Sequence, residues 1–112
     1  MCGIAGIIDF EKNSFTEAEL TSLRDRLKHR GPDDAGLYLQ GGVGLASRRL
    51  AVLDLSNAGH MPMPNENKTV WVVFNGEIYN FQELRGQLIS AGHQFRSNTD
   101  TEVIFHAYEE WG

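Results

Sequence analysis

The chain has a single cysteine, Cys2, in 112 residues, so an internal disulfide is excluded and no Cys-x-x-Cys pair offers zinc binding or dithiol exchange. A reducing, cytoplasmic setting is the expectation. Positive charge is also scarce. Ten Lys and Arg stand against 15 Asp and Glu, a net charge of −5 with histidines neutral. That excess of acid argues against non-specific nucleic-acid binding, which needs a basic face to displace counterions. Long apolar runs are missing as well. The N-terminal stretch Met1 to Ile8 is broken by Gly3 and Gly6 and stopped by Asp9, well short of the roughly 18 apolar residues that a membrane span requires, and no basic residue marks a signal peptide. Cys rather than Gly at position 2 removes the N-myristoylation signature. There is no Gly-x-x-x-x-Gly-Lys-Ser/Thr and no Gly-x-Gly-x-x-Gly, so no phosphate-cradling loop is expected.

What remains is the composition of an ordinary globular protein, 41% apolar and 22% charged, at a length suited to one domain. Glycine is abundant, 12 of 112 residues, against a usual share of about 7%. Gly3 to Phe10 is short, β-branched and apolar at alternate and intervening positions, which predicts a strand buried on both faces. Thr16 and Glu19 form a capping box, with Phe15 and Leu20 at the staple positions. Leu20, Leu23 and Leu27 share one helical face, and the helix is expected to run through its basic end, Arg24 to Arg30, to a stop at Gly31-Pro32.

Gly31 to Gly36 reads as a turn-rich loop, followed by short strands at Leu37–Leu39, Val43–Ala46 and Leu50–Leu55. Met61-Pro62-Met63-Pro64 is expected to prevent regular structure. Thr69 to Phe74 is the strongest strand by composition. Two more helices follow, one capped by Asn80 and Glu83 and ending at Gly92, the other capped by Thr99 and Glu102 with Ile104, Ala107, Tyr108 and Trp111 on one face. Closely spaced strands favour antiparallel pairing and an α+β or mixed sandwich over a doubly wound parallel sheet.

Several residues fit this scaffold poorly and point to chemistry. Asn75-Gly76 directly follows the strong strand, but the helix cap at Asn80 leaves no room for the return strand of a hairpin. A glycine in that place allows close backbone approach, and an amide side chain beside a free backbone N–H suits an oxyanion. Glu77 then puts a charge beside a buried strand, where it needs a cationic partner. Removal of Met1 would leave Cys2 with a free α-amine, whose ordinary titration near pH 8 is about one unit from neutrality. An N-terminal nucleophile carries its general base on the same residue. Arg48-Arg49, between apolar segments, calls for an anion such as a bidentate carboxylate. Taken alone, Asp100 is explained by the dipole of the third helix. His29, His60, His93 and His106 show no short metal-ligand spacing, and no metal site is expected.

Met1-Cys2-Gly3-Ile4-Ala5-Gly6, His29-Arg30-Gly31-Pro32-Asp33, Arg49-Leu50 with Asp54-Leu55-Ser56, Phe74 to Asn80, and Ser97 to Glu102 occur in this order. Together they resemble the glutaminase domain of glutamine-hydrolysing asparagine synthetases, which are class II, N-terminal-nucleophile amidotransferases. The resemblance implies an α+β fold, the αββα four-layer sandwich, here only in part. Residues 1–112 would be the N-terminal portion of a type 2 amidotransferase domain, without the synthetase domain.

It implies that Cys2 attacks the glutamine carboxamide to give a thioester, with ammonia feeding ATP-dependent conversion of aspartate to asparagine. Asn75 and the Gly76 N–H would hold the oxyanion, Arg49 the substrate carboxylate, and Glu77 and Asp100 its ammonium. A zwitterionic amino acid thereby accounts for three awkward charges. No cofactor is expected in this segment, whereas ATP and Mg belong to the absent synthetase domain. The implied partners are L-glutamine and that C-terminal domain, with no nucleic acid or membrane, and a homodimer is compatible. Met61 departs from the Gln that many members carry before this proline. The alternatives are a non-catalytic glutamine-binding module and an amidotransferase of sugar or polysaccharide biosynthesis.

Overall fold

The structure is a computed structural model that describes residues 2–11, 15–51 and 57–112. The expected strand over Leu50–Leu55 and the Asp54-Leu55-Ser56 block lie largely outside the described residues, as does Met1. Among the described residues the chain forms a small α+β unit with antiparallel sheets and three α-helices. Strand β1 (Gly3–Ile8) is followed by α1 (Glu17–Asp25), β2 (Asp34–Gln40) and β3 (Val43–Arg49). A single 3₁₀ turn (Asn57–Gly59) then leads to β4 (Met63–Pro64), β5 (Trp71–Val72), α2 (Phe81–Ser90) and α3 (Thr101–Trp111).

The main sheet has the order β1-β3-β2. β2 and β3 form a hairpin in which Gln40 opposes Val43 across Gly41 and Gly42. Both glycines have positive φ, 59° and 83°, the geometry of the two-residue turn that matches strand twist. β1 runs antiparallel to β3 with Gly3 opposite Arg48. Helix α1 lies on one face, where Leu20 is fully buried and meets Gly44 together with Phe15. The capping box holds: Thr16 Oγ1 accepts from Glu19 N at 3.2 Å, and Glu19 Oε2 accepts from Thr16 N at 3.1 Å.

The structure corrects several expectations. β1 is buried on one face only, with Ile4 and Ile8 at 43% and 66% exposure, because α1 covers one side of the sheet and nothing among the described residues covers these side chains on the other. Helix α1 ends at Asp25 rather than at Gly31. Residues 26–31 instead continue in tighter turns, with i to i−3 bonds such as Leu27 N to Arg24 O at 2.9 Å and Arg30 N to Leu27 O at 2.9 Å. Leu23 consequently sits at the edge of the interface, partly exposed.

The proline segment is not wholly irregular. Met63–Pro64 pairs with Trp71–Val72 in a two-stranded ribbon, where a residue without an N–H is tolerated at a strand edge. The strand expected over Thr69–Phe74 is correspondingly cut to two residues. Trp71 stacks on Tyr38 at a centroid distance of 4.2 Å, joining the ribbon to the main sheet.

Helix α3 buries Val103, Phe105 and His106 and exposes Tyr108 and Trp111, the opposite of the expected face. Neither α2 nor α3 has a side-chain cap bond. Glu102 serves the preceding loop instead of closing a capping box with Thr99. Its carboxylate accepts from Arg96 N (2.8 Å), Ser97 N (2.8 Å) and Ser97 Oγ (2.7 Å). Gly92 does follow the α2 C-cap with φ +101°. No helix among the described residues is long and apolar enough to cross a membrane.

Candidate active site

The β1–β3 register brings the N-terminus to the end of β3. With Gly3 opposite Arg48, the next step along both strands sets Cys2 beside Arg49 and Leu50. Cys2 Sγ lies 3.4 Å from Leu50 N and 3.7 Å from Leu50 O. Arg30 Nε donates to the Cys2 carbonyl at 3.1 Å. This contact gives a positional use to one cation of the Arg24–Arg30 run, which the sequence presents only as a basic helix end. Cys2 is therefore held from both sides by neighbouring chain.

Polar contacts fasten the loop after α1 to β3. Asp33 N donates to Arg49 O at 3.0 Å, Arg48 Nε donates to Gly31 O at 3.0 Å, and Ala51 N donates to an Asp33 carboxylate oxygen at 2.9 Å. Gly31 leaves no room for a side chain, since a Cβ there would fall 2.3 Å from the backbone C and O of Arg48. Nearby, at the end of α1, the hydrogen bond from Arg24 holds the exposed Asp25 carboxyl below its ordinary value, aided by the charges of Arg24, Arg48 and Lys28.

A cavity of about 450 Å³ opens beside Cys2, within the size range of small-molecule sites. Cys2, Arg49, Asn75, Gly76, Glu77 and Asp100 all line it, so the residues to which the resemblance assigns roles border one space, whereas Arg48 does not line it. They come from four places: the start of β1, the end of β3, the segment between β5 and α2, and the N-cap of α3. Asn75-Gly76 forms no hairpin, and the turn Phe81 N to Ile78 O at 3.1 Å leads directly into α2. Arg49 is buried, with its guanidinium against Gly59, where a Cβ would fall 2.2 Å from Nη2.

Asp100 is also buried. The structure replaces the helix-dipole explanation for it with a specific bond, because its Oδ2 accepts from Ile78 N at 2.9 Å. Leu50, Met61, Phe74, Tyr79, Thr99 and Thr101 complete the wall. Sequence reasoning missed this apolar and hydroxyl lining, apart from noting Met61. Tyr79, inside the Phe74 to Asn80 block, is 91% exposed.

The site combines a cation with two carboxylates. Arg49 is the buried cation at the β3 end, and Glu77 with Asp100 supplies carboxylates to the same cavity. An arginine fork suits a carboxylate and paired carboxylates suit an ammonium. A zwitterion of cavity-matched size satisfies both. A second cluster lies outside this cavity. His93 and His106, 13 positions apart, approach to 3.1 Å between their Nδ1 atoms, a proximity that their sequence spacing does not announce.

The chain has close relatives among known proteins. It is 47% identical over 113 residues to asparagine synthetase [glutamine-hydrolyzing] 1 of Arabidopsis thaliana, covering 100% of this chain and 19% of that protein. It is 44% identical over 115 residues to asparagine synthetase [glutamine-hydrolyzing] 2 of Bacillus subtilis (strain 168), covering 100% of this chain and 15% of that protein. A maize (Zea mays) asparagine synthetase [glutamine-hydrolyzing] matches at 43% over 113 residues, again with 100% of this chain and 19% of the relative. The chain thus spans less than a fifth of the length of these relatives. Its whole length, residues 1–112, matches the glutamine amidotransferase domain, and to that family, with Cys2 among the residues that line its cavity, the chain belongs.

Proposed function

We propose that the cavity is a glutaminase site in which Cys2, after loss of Met1, hydrolyses glutamine to glutamate and ammonia. The observation that carries this reading is the convergence of Cys2, Asn75, Gly76, Arg49, Glu77 and Asp100 on a single cavity of about 450 Å³. Arg49 binds the substrate α-carboxylate through its fork, and Glu77 and Asp100 bind the α-ammonium. This leaves the side-chain carboxamide directed toward Cys2.

The Cys2 α-amine takes the thiol proton as Sγ forms a bond to the carboxamide carbon. The carbonyl π electrons move to oxygen, where the Asn75 side-chain N–H and the Gly76 backbone N–H donate to the oxyanion. One such donor contributes about 3 kcal/mol to the transition state. Collapse breaks the C–N bond, and the α-ammonium returns its proton to the departing ammonia. Water then attacks the thioester with the amine again as base, releasing glutamate and restoring the thiol.

Similarity to glutamine-hydrolysing asparagine synthetases supports a further step, in which ammonia passes to an ATP- and Mg-using synthetase domain that amidates aspartate. In this reading residues 1–112 are the N-terminal portion of an αββα amidotransferase domain. The exposed Ile4 and Ile8 face of β1 supports that fold, since an uncovered apolar sheet face is what a second sheet packs against. A cytoplasmic setting keeps Cys2 reduced.

The test is intact-mass analysis combined with glutamate release from glutamine by the full-length protein. Loss of Met1, and loss of glutamate release in Cys2→Ala, is the expected result. Retention of Met1 with undiminished turnover in Cys2→Ala overturns the mechanism. Glutamine binding by a Met1-free wild-type protein that never releases glutamate assigns the cavity to binding alone.

A further inference from the structure

We propose that His93, His106 and Glu109 form a binding site for a divalent metal ion of the zinc class, separate from the Cys2 cavity. Their candidate ligand atoms already have the spacing of one face of a tetrahedral shell. His93 Nδ1 and His106 Nδ1 are 3.1 Å apart, and Glu109 Oε1 lies 3.3 Å from His106 Nδ1 and 3.9 Å from His93 Nδ1. Metal–ligand bonds of about 2.0–2.1 Å at tetrahedral angles put neighbouring ligand atoms about 3.4 Å apart. A small inward movement of Glu109 closes the set.

The surroundings of each ligand point the same way. His106 is buried, and its Nε2 faces Glu102 Oε2 at 3.2 Å. That carboxylate is itself held by the N–H groups of Arg96 and Ser97. His93 Nε2 faces Glu110 Oε1 at 2.9 Å. With each Nε2 placed to donate its hydrogen to the carboxylate it faces, the two Nδ1 atoms approach one another as the lone-pair positions a cation would bridge. This is the carboxylate–histidine arrangement that orients metal-ligating histidines and raises their basicity.

Glu109 is oriented as well, since its Oε2 accepts from the buried Asn65 Nδ2 at 3.2 Å and Oε1 is left facing the rings. Three acceptors with their hydrogen bonds already satisfied on the far side repel one another unless a cation lies between them. Imidazole and carboxylate ligands in this set suit zinc and its neighbours rather than calcium or magnesium.

The fourth position faces solvent past the partly exposed Glu109 side chain. A bound ion would tie the connection after α2, at His93, to the middle of α3, whose N-cap is Asp100. The site therefore braces the helix that presents Asp100 to the Cys2 cavity, without contributing a ligand to that cavity.

The experiment uses the full-length protein in a Cys2→Ala background, so that the thiol cannot take the metal. Chelator-stripped protein is titrated with Co²⁺, followed by Zn²⁺, and melting is recorded with and without Zn²⁺. One equivalent of Co²⁺ giving tetrahedral d–d absorption, displaced by Zn²⁺ with a rise in Tm, is the expected result. His93→Gln and Glu109→Gln, both at partly exposed side chains, should each weaken binding roughly tenfold or more while leaving circular dichroism unchanged. No d–d absorption and no zinc-dependent Tm rise in folded protein overturns the proposal, as does wild-type affinity in His93→Gln. Imidazole ¹⁵N resonances that do not respond to Zn²⁺ would assign a shared proton to the Nδ1 pair and also overturn it.

Discussion

Asp100 Oδ2 accepts a hydrogen bond from the Ile78 backbone N–H at 2.9 Å. The bond spans 22 residues and joins the N-cap of α3 to the chain segment that has just presented Asn75, Gly76 and Glu77 to the cavity. Asp100 therefore has two separable properties, an acceptor oxygen that fixes backbone and a negative charge that faces the cavity.

Substitution separates them. Asp100→Asn retains an amide oxygen for Ile78 N and loses the charge, so the fold should keep a near-normal Tm while KM for glutamine rises by about tenfold or more. The basis is that a hydrogen bond to a charged group contributes about 1.5–3 kcal/mol. Asp100→Ala loses the acceptor too and should lower both Tm and kcat, since Asn75 and Gly76 are no longer anchored. Steady-state glutaminase kinetics beside thermal melts check the pair, and equal KM values for wild type and Asp100→Asn would remove Asp100 from ammonium binding.

Glu102 should matter to stability more than its place on a helix suggests. It is almost fully buried, its oxygens accept from two backbone N–H groups and the Ser97 hydroxyl, and its Oε2 faces His106 Nε2 at 3.2 Å. Glu102→Ala strands those donors in the interior, where each unsatisfied group costs about 1–3 kcal/mol. A loss of about 3–5 kcal/mol in urea unfolding is expected. Glu83→Ala on the exposed side of α2 should change stability little by comparison, because surface substitutions generally stay within about 0.5 kcal/mol.

The cases of Glu19 and Glu102 explain how far local sequence reads into this fold. Both follow a threonine by three positions, and both predict a capping box. Glu19 is exposed and its carboxylate accepts from Thr16 N, so the local motif forms as expected. Glu102 is buried, and the loop at Arg96 and Ser97 brings it stronger partners, so tertiary demand overrides the local pattern.

The same distinction applies to the candidate site. The charged and amide residues around the cavity, with Cys2 and Gly76, could be named from their awkwardness in a strand or loop and from the motif blocks, because such groups stand out against apolar neighbours; the apolar and hydroxyl lining could not. The contact of Arg30 with the Cys2 carbonyl and the pairing of His93 with His106 could not, because these partners are set by the β1–β3 register and by the packing of the segment after α2 against α3. The α3 face was misread because its buried polar residues, Glu102 and His106, carry no hydrophobic periodicity.

Two glycines should respond to alanine in opposite directions. Gly86 lies within α2, and a Cβ there meets nothing within 4 Å. Gly86→Ala should stabilise the protein by about 1 kcal/mol through helix propensity and reduced chain entropy. At Gly31 the added Cβ meets the Arg48 backbone at 2.3 Å, and backbone in a paired strand cannot yield as a side chain can. Gly31→Ala should cost about 3 kcal/mol, at the upper end of ordinary overpacking. Chemical denaturation of the two variants checks both signs.

Gly59→Ala should act on the cavity rather than on the fold. Its Cβ would fall 2.2 Å from Nη2 and 2.5 Å from Cζ of Arg49, and the end of a flexible arginine is the part that gives way. Stability should therefore change by less than about 1 kcal/mol, while the guanidinium is displaced from the position proposed to bind the substrate carboxylate. The expected kinetic signature is a KM for glutamine raised about tenfold with kcat largely kept, because Cys2, Asn75 and Gly76 are untouched and the loss falls on ground state and transition state alike. Arg49→Lys provides the companion measurement. It keeps the charge but lacks the planar fork, so it should also raise KM, and glutamine amide analogues without an α-carboxylate should no longer distinguish wild type from either variant. Unchanged KM in both variants would mean that Arg49 holds the loop at Gly59 and not the substrate.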